Sequence, residues 1–111
     1  MDQHDVDRIF HALADHTRRD ILTRVMPREH SVSYLAQRYS MSFAAIQKQV
    51  AGLERAHLVA KKRSGREQLV SGDVATIRAA ARLLDQFEQI WRDRVDRIDA
   101  LFSAPTDGGT P

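Results

Sequence analysis

Ser42, Phe43, Ala44, Gln47 and Lys48 fall on one side of a short helical stretch whose other side carries Ile46, Val50 and Leu53 at i, i+4 and i+7. The outward set offers one hydroxyl, one carboxamide, one cation and small or apolar groups, with no carboxylate before Glu54. Such a face can meet base edges and thymine methyls without repelling phosphate: glutamine can bond adenine in two places, and lysine can reach guanine acceptors. Phe43 suits a thymine methyl and packing on the preceding helix equally well. Ser42 is placed to cap the helix, and its hydroxyl together with the free amides of the first turn favours an anion there. Taken alone, the helix is no more a nucleic-acid surface than any other amphipathic helix with a mixed outer face.

The flanking residues decide between those readings. Leu35, Ala36 and Tyr39 recur at helical spacing behind Ser33, which reads as an N-cap. The break Ser40-Met41-Ser42 then leads into the second helix, about 42–55, so that residues 32–59 form a helix-turn-helix. His57 is expected in the left-handed position after that helix, with Leu58 folding back onto Leu53. Two short segments about Ser64-Gly65-Arg66 make a hairpin over about 59–71, a wing directly after the reading helix. Within 43–66 six cations (Lys48, Arg55, Lys61, Lys62, Arg63, Arg66) stand against Glu54, a balance of +5, whereas the whole chain is only +2. Positive charge is concentrated where a polyanion would lie, and Arg63, Ser64 and Arg66 would meet phosphate or a narrow minor groove.

As a set, Ala14 to Leu22, Leu35-Ala36, Met41-Ser42, Leu53 to Val59 and the Arg63-Ser64-Gly65-Arg66 turn resemble the ArsR/SmtB family of bacterial winged-helix repressors. The resemblance covers about residues 5–75. It implies a mainly α fold with a small β-hairpin, a winged helix-turn-helix with N- and C-terminal dimerisation helices, acting as a repressor on double-stranded DNA. His16 stands where the family often has proline, and His57 where it often has glycine; both concern helix ends.

Composition narrows the alternatives. The chain has 111 residues, 42% hydrophobic and 29% charged, enough for one domain with its own core and unlike a disordered protein. No apolar run approaches the ~20 residues of a membrane span and no signal peptide is evident, so a cytoplasmic location without membrane attachment is expected. The absence of cysteine excludes disulfides, thiolate metal sites and cysteine nucleophiles. No nucleophile elbow, phosphate loop or metal-protease spacing occurs, so neither an enzyme nor a cofactor is expected. A protein-interaction module that uses the winged helix without specific DNA binding is the alternative function.

Read in order, residues 1–4 are a polar start. Val6, Ile9, Phe10 and Leu13 form one stripe of a first helix. Asp15 caps a second helix, which carries Ile21, Leu22 and Val25 and stops before Pro27; Val32 could add a short strand to the wing. The longest regular segment, about 74–102, contains no glycine or proline and repeats apolar residues at steps of three and four. At ~1.5 Å per residue it would extend roughly 40 Å, more than a domain of this size can cover. A homodimer is therefore expected, with Val6, Phe10, Phe87, Trp91, Val95 and Ile98 at its interface. Residues 1–102 form the single domain, and 103–111, rich in Pro and Gly, form a disordered tail.

Members of the resembled family that release DNA on binding metal use cysteines in the first helix of the motif, or carboxylates and histidines on the last helix. Residues 31–40 hold no cysteine and 74–101 no histidine, so neither site can exist in its usual form, and the pattern from Trp91-Arg92-Asp93-Arg94-Val95 onward instead resembles a non-metal-sensing subgroup of the family. His4, Asp7 and His11 share one helical face, but they make an incomplete ligand set and no metal is assigned. A small-molecule effector is left open, with Trp91 either packed in the interface or lining a pocket.

Overall fold

The computed structural model describes residues 1–103. Helices α1 (Gln3–Leu13) and α2 (His16–Val25) precede a short strand β1 (His30–Ser31), and α3 (Val32–Ala36) and α4 (Phe43–Arg55) follow. Strands β2 (Val59–Ser64) and β3 (Glu67–Gly72) and the long helix α5 (Val74–Ser103) complete the chain. Two compact units result, Met1–Ala80 and the chain from Ala81 onward. The second consists, among the described residues, of the rest of α5. The sequence reading of one domain over 1–102 draws no such division, and its expected tail lies, from residue 104 on, outside the described residues.

The first unit is built on one apolar core. Ile9 of α1, Ile21 and Val25 of α2, Leu35 of α3, Ile46, Val50 and Leu53 of α4, and Leu58 and Val70 are fully buried. Each such side chain contributes about 1.5–3 kcal/mol through its removal from water. The core leaves no buried side-chain nitrogen or oxygen without a partner among the described residues. Its three-stranded sheet has the order β1-β3-β2, all antiparallel, with β3 central.

Four local expectations are corrected. The N-cap of α3 is Ser31, whose hydroxyl accepts from the Tyr34 amide at 3.0 Å, not Ser33. Val32 belongs to the helix and is buried, so the extra strand is His30–Ser31 instead. α1 starts earlier than expected, at Gln3, because Asp2 and Asp5 form a reciprocal capping box with bonds of 2.9 and 3.4 Å. α3 ends at Ala36, so Tyr39 lies beyond it. There Tyr39 donates to Asp20 Oδ2 at 2.5 Å, and Arg24 Nε donates to the same carboxylate at 3.2 Å and to the Tyr39 hydroxyl at 3.3 Å.

That triad ties the turn before α4 to α2 and makes stability depend on pH. Its bonds to Tyr39 and Arg24 hold the Asp20 carboxyl below its ordinary value despite some desolvation. Burial, and then the bond to Asp20, push the Tyr39 hydroxyl up from 10.0 to about 12. A folded value above the unfolded one gives stability that is whole below pH 10 and is lost as pH rises through about 12. Tyr39→Phe should therefore be less stable than wild type at neutral pH by about 1 kcal/mol, and the gap should close over that alkaline range. Thermal melts of both proteins against pH provide the check, and parallel curves would contradict it.

Candidate nucleic-acid interface

α4 starts where its sequence says it should: the Ser42 hydroxyl accepts from the Ala45 amide at 3.1 Å. Ile46, Val50 and Leu53 anchor one face in the core, which leaves Ser42, Phe43, Ala44, Gln47 and Lys48 exposed together on the other. Phe43 retains 47% of its surface, so it is largely uncovered within its own chain. The far end of α4 closes in a Schellman motif: the Leu58 amide donates to the Leu53 carbonyl at 3.0 Å and the His57 amide to that of Glu54 at 2.9 Å. His57 takes φ 60°, the left-handed conformation expected of it, and Leu58 packs in the same core as Leu53.

The hairpin differs in one detail from the sequence expectation. Ser64 pairs with Glu67 and belongs to β2, so the turn has two residues, Gly65 and Arg66. Gly65 at φ 63° with no positive φ at Arg66 is the pattern of a type II′ turn, whose twist matches the flanking strands. The turn holds Arg63, Ser64 and Arg66 exposed at the wing tip. One of the six cations is engaged elsewhere: Lys61 Nζ lies 3.3 Å from Glu54 Oε1. That pair neutralises the only carboxylate of the window. Lys48, Arg55, Lys62, Arg63 and Arg66 make no ion pair among the described residues.

Two features escaped the sequence reading. Arg18 donates Nε to the Ala12 carbonyl at 2.7 Å, Nη2 to the His11 carbonyl at 3.1 Å and Nη1 to Gln49 Oε1 at 3.0 Å. It thereby ties the end of α1 and the start of α2 to α4. Tyr34 is flanked by His30, stacked at 4.3 Å, and by Arg38, whose guanidinium lies 4.5 Å over the ring and bonds the hydroxyl at 2.8 Å. Helical spacing gave no signal for this stack, because His30 lies in β1 and Arg38 lies beyond α3. Arg18 gave none, because its partners are set by the tertiary fold.

His4, Asp7 and His11 are exposed on α1, and among the described residues no group of three or more histidine, aspartate or glutamate side chains is placed to hold a metal ion. Among the described residues, no helix is long and apolar enough to cross a membrane.

No family model and no curated protein matches the sequence. Solved structures do match. An ArsR-like transcriptional regulator from Rhodococcus sp. RHA1 is 32% identical over 88% of this chain and 92% of its own, with a TM-score of 0.76. The chain belongs to the ArsR family of transcriptional regulators. A second ArsR family transcriptional regulator is 26% identical, with 83% of this chain and 95% of that one covered and a TM-score of 0.78. The homodimeric winged helix-turn-helix DNA-binding domain of a Mycobacterium bovis protein shares the fold at 23% identity, 78% and 81% coverage and a TM-score of 0.64. In this ArsR-family fold α3 and α4 are the helix-turn-helix, and β2 and β3 are the wing.

Proposed function

We propose that this ArsR-family protein is a cytoplasmic, non-enzymatic repressor that binds duplex DNA as a homodimer on an inverted-repeat operator. α4 enters the major groove, where Gln47 and Lys48 meet base edges and Phe43 and Ala44 approach thymine methyls. Ser42 and the wing residues Arg63, Ser64 and Arg66 contact phosphate or the adjacent minor groove. Two copies related by a two-fold axis would set their α4 helices in successive grooves about 34 Å apart. The observation that carries this reading is the carboxylate-free outer face of α4 beside a wing tip whose cations make no ion pair among the described residues. The homodimer rests on the apolar stripe of α5, where Phe87 and Trp91 expose 62% and 56% of their surface.

Selecting DNA from a random pool with purified protein tests the reading and yields the operator. Gln47→Ala should then relax the preference at one or two positions, at about 1–3 kcal/mol of lost discrimination. Arg66→Ala should weaken every duplex alike and flatten the dependence of log affinity on log salt by about one unit. Unchanged operator binding in both variants would refute the docking. A protein that selects no sequence at all would instead be an interaction module built on the same fold.

A further inference from the structure

On the flank of the reading helix, α1, α2 and the C-terminal half of α4 enclose a cleft of about 370 Å³ lined by Arg8, His11, Arg18, Gly52, Arg55 and His57. The volume lies within the range of about 300–1,000 Å³ typical of small-molecule sites. Three guanidinium groups and two imidazoles line it, and among the described residues no carboxylate does.

These cations differ in what already holds them. Arg18 is fixed by three hydrogen bonds, to the Ala12 and His11 carbonyls and to Gln49. A guanidinium has five N–H donors, so two remain. Arg8 and Arg55 make no hydrogen bond or ion pair among the described residues. Gly52 keeps the space between Arg18 and Arg55 open: a Cβ there would lie 3.4 Å from Arg18 Cδ, 3.9 Å from its Nη1 and 3.8 Å from Arg55 Nη2. Two guanidinium groups thus come within 4 Å of one point, one fixed and one free. Planar, rigid guanidinium forks match oxyanions of phosphate or carboxylate type in bidentate fashion, and an anion between like charges relieves their repulsion.

We propose that this cleft binds a small, multiply charged oxyanion of phosphate type. The site stands on its own residues, and only its regulatory consequence rests on the DNA-binding reading above. An anion that takes the two free donors of Arg18 loads the same guanidinium that holds Gln49, and Gln49 sits on the helix that carries Gln47 and Lys48. Occupancy therefore acts on the anchor of the reading helix.

The same charges could instead meet the DNA backbone, and the experiment separates the two sources. Inorganic pyrophosphate is titrated calorimetrically into the full chain without DNA at low ionic strength, with circular dichroism melts to establish that each variant folds. Saturable binding to one site per chain is expected, weakened about tenfold by Arg55→Ala and by Arg8→Glu. Absence of saturable binding, or binding undiminished in Arg8→Glu, would overturn the site. In a second arm, random duplex is titrated against wild type and Arg8→Glu. Weakened duplex binding by the variant, together with no pyrophosphate uptake by wild type, assigns the charge to DNA phosphate and also overturns it. A protein that binds pyrophosphate in this cleft-dependent way yet binds no duplex would retain the site and lose the DNA reading.

Discussion

Trp91→Asp combined with Ile98→Asp is expected to leave the protein monomeric at micromolar concentration and to lower its affinity for an inverted-repeat duplex by on the order of 100-fold. The two positions lie seven residues apart on α5, hence on one helical face, and both side chains are exposed. The opposite side of the helix is occupied with its own residues: Gln89 bonds Asp93 at 3.0 Å across one turn. The exposed stripe of Leu84, Phe87, Trp91 and Ile98, with the Arg94 guanidinium 5.6 Å over the Trp91 ring, is the surface that the proposed homodimer covers with a second copy of the helix. Buried aspartates would lose hydration there without gaining a partner, which makes the change far larger than a loss of contact area. The affinity loss follows because a monomer holds one reading helix and forfeits the intramolecular second engagement. Sedimentation equilibrium and operator titration read the two effects separately. A double variant that remains dimeric would remove α5 from the interface, and a monomeric one that binds the inverted repeat as tightly as wild type would detach dimerisation from recognition. Asp93→Asn, on the opposite side of the helix, is the control and should change neither.

How much of this was visible in the chain itself follows from the range of the forces involved. The reading helix, its Ser42 cap and the left-handed His57 depend on residues within one or two turns, and sequence spacing specifies them directly. The hairpin was equally legible, although the turn was placed one residue too wide, because Ser64 pairs across the ladder and side-chain type does not report that register. Ser31 displaced Ser33 as the cap for a similar reason: both are serines two residues apart, and the choice was made when Val32 entered the core. Arg18 was invisible because arginine is usually a solvated surface residue. Only the fold brings the carbonyls at the end of α1 and the Gln49 amide within reach of one guanidinium. The cationic cleft was hidden with it, since Arg8, Arg18 and Arg55 come from three helices that no spacing rule relates.

Adjacent positions at the end of the reading helix are expected to respond in opposite directions, and Leu58→Ala gives the larger effect. Leu58 is fully buried, packs in the same core as Leu53 and closes the Schellman motif through its amide, so truncation removes apolar burial and leaves a cavity. The cost should be about 2–5 kcal/mol. Against a total of about 5–15 kcal/mol for a protein of this kind, a large fraction of the stability disappears. His57 sits one residue earlier at φ 60°, where an L side chain crowds its own carbonyl and glycine does not. His57→Gly should accordingly stabilise by about 0.5–1 kcal/mol, and His57→Val, β-branched at the same φ, should destabilise by more than that. Chemical denaturation of the three variants, read at constant slope, measures each difference. The opposed signs matter more than the sizes: they separate burial, which acts at 58, from backbone conformation, which acts at 57. If His57→Gly were destabilising, the imidazole would be making a contact worth more than its strain, and the end of α4 would be held by that side chain and not by the motif.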